Sequence, residues 1–325
     1  MSLLDRMLDR SILWSFDRSG FRRHARAFAS ADLDRRLDGR VIALTGANSG
    51  LGLATATALA GMGAELWMLC RDGAKADAAR ARILEAHPGA TLHLHPLDLS
   101  DWGSIDAAAA LPAPHLDVLI HNAGVLPAER TVLPTGLERT LATNLVGPLR
   151  LTARLLPKLR AASAPRVVHV SSGGMYAQRL DLGRLNKTAG GFDGVKAYAQ
   201  TKRAQVILNA QLAERWRGHI QSHAMHPGWA DTPGVRTSIP RFFKVTKGIL
   251  RTPAQGADTT IWLASADLDP ASSGTFWFDR RPAPLHLGHG TRESPAEREA
   301  LWAQLLDWAG LDAAALAPGP AENER

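Results

Sequence analysis

Tyr198 and Lys202, in the run Tyr198-Ala-Gln-Thr-Lys202, are the pair with the clearest chemical use in this sequence. Residues four apart on a helix share one face with Cβ atoms about 5–6 Å apart, so a phenol and an ammonium can meet in one site. A tyrosine titrates near ~10 in isolation, and a nearby cation favours the phenolate, which moves the group toward a range where it exchanges protons with a substrate. Tyr-x-x-x-Lys arises often by chance on amphipathic helices, so its weight comes from what stands upstream. There, Thr45-Gly-Ala-Asn-Ser-Gly-Leu-Gly52 places glycines at 46, 50 and 52. They permit a tight turn and bring backbone amides against phosphate, helped by the dipole of a following helix.

The apolar pattern predicts a strand over 40–45 and a helix over 51–60 around this turn, then a strand over 65–70. That is the setting a dinucleotide fingerprint requires. The alternation continues with helical spacing over 74–86, 100–111, 137–159 and 198–216, and strands over 90–97, 116–120, 166–170 and 220–225. It predicts an α/β protein of Rossmann type, a doubly wound parallel sheet with helices on both faces. We read 1–38 as an amphipathic helical arm, 39–285 as one catalytic domain, and 286–325 as a helical extension whose Ala/Pro-rich end after Ala313 frays. Ligands of an open parallel sheet bind outside the carboxyl ends of its strands. The turn at 46–52, Arg71, Asp98, Asn122 to Gly124, Ser171-Ser172 and His226-Pro227-Gly228 all follow a predicted strand.

Composition narrows the function classes. One cysteine, Cys70, rules out a disulfide framework within the chain and makes a reducing, cytoplasmic setting the expectation. An excess of 38 Lys+Arg over 31 Asp+Glu suits phosphate-bearing ligands or anionic surfaces. There is no basic-aromatic interleaving of the kind nucleic acid would need. The uncharged run from Val41 to Ala64 is long enough to cross a bilayer, but its five glycines, asparagine and serine fit a buried strand, turn and helix better. In the arm, Leu4, Leu8 and Ile12 recur at helical spacing beside Leu3, Met7, Trp14 and Phe16, while Asp5 and Asp9 argue against a cleaved signal. A helix packed on the body is expected rather than one lying on a membrane, because those acids weaken attraction to anionic lipid. No metal site is expected, since His219, His223 and His226 fall around a strand, where their spacing turns the rings to different faces. His93 and His95 read as one face of a strand.

Over 39–280 these motifs together resemble the short-chain dehydrogenase/reductase family. The matching residues are TGANSGLG at the turn, DLS at 98–100, NAG at 122–124, Asn144 in ATNLVG, Ser172 in VSSGGM, YAQTK, and PG at 227–228. HPGWADTPGV at 226–235, FDG at 192–194, AQGADT at 254–259 and the arm with Trp14 and Ser19-Gly20-Phe21 resemble its dehydrogenase/reductase member-twelve group. The turn spacing Gly46-x-x-x-Gly50-x-Gly52 differs from the Gly-x-x-Gly-x-x-Gly usual in sugar-nucleotide epimerases. Two departures stand out. His121 replaces a frequent Asn, and the gap of 198 − 172 = 26 residues between Ser172 and Tyr198 is long, as in the retinol-dehydrogenase-like branch.

The resemblance implies an enzyme moving hydride between a nicotinamide and a carbonyl carbon. Tyr198 would be the general acid/base, Lys202 would lower its pKa and hold the nicotinamide ribose, and Ser172 would donate to the carbonyl. Asn144 would hold backbone and water connecting Lys202 to solvent. The cofactor set it implies is Gly46, Asn48, Ser49, Gly50, Leu51, Gly52, Arg71, Asp98, Leu99, Asn122, Ala123, Gly124, Tyr198, Lys202, Pro227, Gly228, Trp229 and Thr232. NADP(H) is expected over NAD(H), because the second strand ends at Cys70-Arg71 and a guanidinium grips a phosphate. Asp72 would oppose that if it faced inward, and Ser49 stands where many NADP enzymes carry a second base. In 239–251, Phe242, Val245 and Ile249 are expected to line an apolar pocket while Arg241, Lys244, Lys247 and Arg251 stay solvated. Tyr176 reads as part of the substrate wall. A lipophilic carbonyl or alcohol is the expected partner, with peripheral membrane contact through the arm or 239–251, and a homo-oligomer, as further partner classes. The alternative is a nucleotide-binding scaffold or sensor of the same fold without turnover.

Overall fold

Every residue of strand β1 (Val41–Thr45) is buried, and its side chains divide between two cores. Val41 and Ala43 join one apolar cluster, Ile42 and Leu44 another. A strand alternates its side chains between faces, so an unbroken apolar run is what a sheet covered on both sides demands. The computed structural model describes residues 8, 9 and 12–319. Leu3, Leu4, Asp5 and Met7 of the predicted arm lie outside these residues.

The helices α1 (Ile12–Phe16) and α2 (Arg18–Ala25) precede β1. After it come α3 (Gly50–Gly61), β2 (Glu65–Cys70), α4 (Gly73–Ala86), β3 (Leu92–Pro96), α5 (Trp102–Ala107) and β4 (Val118–His121). A helical stretch then runs from α6 (Arg139–Leu141) through a π turn (Ala142–Val146) into α7 (Gly147–Arg160). The chain continues through β5 (Arg166–Val170), α8 (Leu182–Leu185), α9 (Gly194–Arg215) and β6 (Gln221–Met225), then the short α10 (Pro233–Ser238) and α11 (Pro240–Thr246). Helix α12 (Pro253–Ser265), strands β7 (Phe276–Phe278) and β8 (Arg281–Pro282) and helix α13 (Pro295–Ala309) complete the order. The sheet runs β3-β2-β1-β4-β5-β6-β7-β8, parallel throughout except for β8. This is the doubly wound Rossmann sheet, in a single domain. The chain winds outward from β1 through β2 to β3 and then crosses back to place β4 on the other side of β1, and the crevice at that switch point holds the ligand in such folds.

Four features differ from the sequence reading. Strands β7 and β8 extend the sheet beyond the six expected. The helix predicted over 137–159 is interrupted by the π turn, which inserts one residue beside the cleft. The end after Ala313 does not fray at once: Leu316 is buried and its carbonyl accepts the Trp216 indole N–H at 2.8 Å. Among the described residues no helix is long and apolar enough to cross a membrane.

The fourth difference concerns Arg251, expected in solvent and found fully buried. Helix α11 ends at Thr246, so the helical spacing that put Arg251 on a wet face no longer applies. Its guanidinium instead holds both carboxylate oxygens of Asp279 at 2.6 and 2.9 Å and bonds the carbonyls of Ser15 and Phe16 at 2.9 Å. The second oxygen of Asp279 also meets His24 Nδ1 at 2.6 Å. The turn joining β7 and β8 has only Asp279 and Arg280, both left-handed at φ 49° and 57° without being glycine. Such a two-residue hairpin turn requires positive φ at both positions, and each side chain is then tied down. Arg280 reaches Asp258 at 2.6 Å and Asp32 at 3.1 Å. From Phe16 to Asp32 the described part of the arm is thus tied to the body.

Candidate active site

The glycine turn needs its glycines for space. A Cβ on Gly52 would lie 2.1 Å from the Gly46 carbonyl oxygen, and Gly46 and Gly50 have φ of +67° and +51°. Ser49 precedes α3 without capping it, so no side chain occupies the amides of the first turn. The turn is pinned from β4: the Asn122 amide donates to the carbonyls of Thr45 and Gly46 at 2.9 and 3.2 Å. The Thr45 hydroxyl in turn accepts the backbone N–H groups of Asn122 and Ala123, both at 3.0 Å.

A cleft of about 640 Å³ opens here, lined by Gly46, Asn48, Ser49, Leu51 and Gly52, and further out by Arg71, Asp98, Leu99, Asn122, Ala123, Gly124 and Thr232. Gly50 is not among the lining residues; a Cβ there would lie 3.3 Å from Thr232. Arg71 is largely exposed and 4.0 Å from Asp98. Asp72, the residue that could oppose a phosphate, lines the same cleft, with its carboxylate paired to a lysine. It caps α4 through the Lys75 N–H at 3.1 Å and meets the Lys75 ammonium at 2.7 Å. Lys75 also lines the cleft, a cation the motif reading missed because it follows no strand directly.

The cleft continues past Leu51, Asn122, Gly124 and Thr232 into a second space of about 340 Å³. Ser172, Tyr198 and Lys202 lie here, with Pro227, Gly228 and Trp229 on the wall. Val125, Leu126, Val195, Val235, Ile239 and Phe242 make the rest largely apolar. Val245 and Ile249 do not reach it, and Val245 is 85% exposed. Helix α11 turns its Phe242 side inward against Trp229, with ring centroids 5.3 Å apart. Tyr176 is not on the wall either. It bonds the Pro284 carbonyl at 2.7 Å and packs between His226 and Phe276.

Helix α9 sets the pair that opened the sequence reading. Asp193 caps it through the Lys196 N–H, and from its third turn the Lys202 ammonium lies 5.6 Å from the Tyr198 ring centre. The ammonium donates to the Val170 carbonyl at 2.7 Å and to Gln205 at 3.3 Å. Asn144, in the π turn, clasps Val125 with both amide atoms, at 2.8 Å to the N–H and 3.0 Å to the carbonyl. It also donates to Thr201 at 3.2 Å. A Cβ on Gly124 would lie 3.4 Å from the Asn144 oxygen and 3.7 Å from Lys202 Nζ, so the NAG motif and the lysine meet at one point.

Electrostatics here differ from the simple expectation. Burial pushes the Tyr198 phenol up from its ordinary value, and the hydrogen bond with Ser172 pulls the other way. Burial drops the Lys202 ammonium to about 7. The phenol stays above its ordinary value because burial outweighs the hydrogen bond with Ser172. The site therefore holds a protonated phenol, a hydroxyl bonded to it, and an ammonium poised to lose its proton near neutrality.

Behind Lys202, His169 on β5 stacks on His121 of β4 at 5.2 Å. Burial and the Lys202 charge lower His169 to about 3, while an unfolded histidine titrates near 6.5. The unfolded chain therefore binds one more proton between these values, and stability present above pH 6.5 is lost as pH falls toward 3. Replacing His169 by Gln is expected to flatten the acid limb of stability against pH by up to one proton, about 1.4 kcal/mol per pH unit. Urea unfolding at a series of pH values between those limits reads it, and an unchanged slope would refute it. His223 and His226 sit apart: His223 accepts the Trp277 indole N–H at 3.3 Å, and His226 stacks on Phe278 at 4.0 Å.

Comparison with known proteins adds independent findings. A family profile described as short chain dehydrogenase matches residues 40–240. Dehydrogenase/reductase SDR family member 12 of Bos taurus is 42% identical over 91% of this chain and 96% of that protein. Retinol dehydrogenase 11 of Mus musculus is 32% identical over 85% of this chain and 88% of its own length. A short chain dehydrogenase from Escherichia coli, solved with NADPH, superposes with a TM-score of 0.62 at 25% identity, covering 78% of this chain and all of that one (100%).

Proposed function

Since this chain belongs to the short chain dehydrogenase family and is an NAD(P)-dependent oxidoreductase of that kind, we propose that it uses NADP(H) to interconvert a carbonyl and an alcohol on a lipophilic small molecule. The observation that carries this reading is the meeting of Tyr198, Ser172 and Lys202 where the glycine-turn cleft passes into an apolar space.

The residues present fit a dinucleotide. The glycine turn leaves a helix N-terminus open to a pyrophosphate, and Asn122 and Thr45 keep that turn closed from below. When bound, the nicotinamide donates or accepts the hydride. In the reducing direction Tyr198 gives its phenolic proton to the carbonyl oxygen as negative charge gathers there, and Ser172 steadies the same oxygen by a hydrogen bond. Its raised pKa keeps the phenol loaded for that step. Lys202, near its own pKa at neutrality, returns a proton toward the phenolate, while Asn144 fixes Val125 and the π turn beside it. Val125, Leu126, Ile239 and Phe242 exclude water from the reacting carbon and favour an apolar substrate. The name of the mouse relative, a retinol dehydrogenase, supports that substrate class. A panel of ketones, aldehydes and retinoids with NADPH tests it: turnover confined to small charged carbonyls would overturn the lipophilic reading, and cofactor binding with no turnover on any member would favour the scaffold.

Arg71 and Lys75 supply the preference for NADP(H). Charge-assisted hydrogen bonds contribute about 1.5–3 kcal/mol, and roughly 1.4 kcal/mol is tenfold in affinity. Arg71→Ala is expected to weaken NADPH binding about ten- to a hundredfold and to leave NADH nearly unchanged, with Lys75→Ala giving a smaller loss. Dissociation constants for both cofactors decide this, and equal affinities for NADPH and NADH in wild type and Arg71→Ala would refute it.

A further inference from the structure

Two segments distant in sequence form one edge at the mouth of the apolar space. Arg18 donates its backbone N–H to the Ile249 carbonyl at 2.8 Å and Nε to the Leu250 carbonyl at 2.9 Å. Phe16 accepts the Trp229 N–H at 2.8 Å, and Trp229 meets Phe242 edge-on. The junction of α1 and α2 is thereby tied to Trp229 and to Ile249-Leu250, the segments that precede α10 and follow α11. This edge carries large apolar side chains left in solvent: Ile12 at 44%, Trp14 at 49% and Val245 at 85% exposure.

The charges around them have one sign. Arg22 and Arg26 on the arm and Arg241, Lys244 and Lys247 on α11 are exposed. Among the described residues no carboxylate pairs with Arg241, Lys244 or Lys247. From Thr232 to Ala257 the sequence has no acidic residue. Of the two acids that the sequence reading weighed against anionic surfaces, Asp5 lies outside the described residues and Asp9 is already used, as is Asp17. Asp9 bridges Arg23 and His24 at 2.9 and 2.8 Å, and buried Asp17 caps α2 through the Gly20 N–H.

A single exposed valine is ordinary on a soluble surface. An apolar side chain flanked in sequence by unpaired cations, on a helix whose Phe242 side closes an apolar cleft, is less so. Acyl boundaries accept the first and anionic headgroups the second, whereas a protein partner rich in acids would accept only the cations. We propose that the edge formed by α11 and the adjoining arm docks on an anionic lipid bilayer, so that the cleft bounded by Ile239 and Phe242 exchanges its substrate with the membrane. The docking stands on exposure and charge, and only the exchange rests on the lipophilic-substrate reading.

Flotation of the full chain with phosphatidylcholine vesicles, with and without phosphatidylglycerol, tests the docking. Each cation near an anionic surface is worth about fivefold in partition. Partition to the anionic vesicles is therefore expected to fall roughly thirtyfold in Lys244→Ala/Lys247→Ala, and to fall in Val245→Asp, with turnover of a water-soluble ketone unchanged in both. Because these side chains are exposed, the variants keep the fold, and circular dichroism checks that. No partition at low salt, equal partition to neutral vesicles, or partition indifferent to the substitutions would overturn the proposal, as would capture by polyglutamate as strong as by vesicles. Docking without turnover of lipophilic carbonyls would leave this proposal standing and remove the substrate reading; turnover of them without docking would do the reverse.

Discussion

Tyr198→Phe is expected to bind NADPH with the affinity of the wild-type chain and to lose turnover by about 10²–10⁴-fold, the usual contribution of a positioned acid or base. The substitution removes one oxygen, the one bonded to Ser172. The ring body stays against Lys202 at the end of the cleft, and the glycine turn lies on another element. Cofactor fluorescence titration and initial rates on a reactive ketone separate the two effects. The loss should fall on kcat, since the phenol acts as charge develops on the substrate oxygen rather than in ground-state binding. Turnover within a few-fold of wild type would refute the assignment of Tyr198 as the proton donor.

Asp279→Ala should be the most destabilising single change in the chain's buried polar network. It strands the Arg251 guanidinium in a fully buried place and removes one of the two carboxylates on His24. Breaking a buried pair from one side costs about 3–5 kcal/mol, because an uncompensated charge remains. Arg251→Met/Asp279→Leu removes both charges and is expected to recover part of that loss. The recovery stays partial, since Arg251 also satisfies the carbonyls of Ser15, Phe16 and Asp17. Urea midpoints of the three proteins measure this, and a single substitution within about 1 kcal/mol of wild type, the range of ordinary point mutants, would overturn it. A second readout is kinetic. Arg251 also lies against Gly228 and bridges Trp229 to Asp231 through its backbone, so a loosened pair should raise KM for substrate more than it changes NADPH affinity.

The parts legible in the sequence were those whose physics is local. An apolar run ended by glycine reads as a buried strand, and β1, β2 and β5 fall within a residue of where the pattern puts them. Tyr198 and Lys202 are legible because helical spacing alone puts them together. Strands β7 and β8 escaped because Phe276-Trp277-Phe278 is too short to show alternation, and their turn uses no glycine. The π turn escaped because one extra residue scarcely disturbs a helical apolar period. Arg251 was misplaced by carrying the helix past Thr246, and Tyr176 by assuming that an aromatic near Ser172 must face the cleft. The Tyr198 pKa reversed because a pairwise view of phenol and ammonium omits their shared burial. Lys75 and Gln205 have no motif of their own, and the Thr45 hydroxyl, though its residue opens the glycine motif, gains its role only when β1 and β4 are assembled.

The arm's attachments also set a schedule. His24 waits for Asp279, 255 positions later, Asp32 for Arg280, 248 later, and the Phe16 carbonyl for Arg251, 235 later. At roughly 5–20 residues per second of synthesis, those partners emerge about 10–50 s after the arm does. During that interval Phe16 lacks Trp229 and Phe278, two of the rings that cover it in the folded chain. The glycine turn and the first half of the sheet can form meanwhile from neighbouring segments, but the wall at 227–232 is held only when the β7–β8 turn arrives. A nascent chain halted before residue 279 is thus expected to carry a completed nucleotide crevice and an open substrate wall, with the arm available to chaperones.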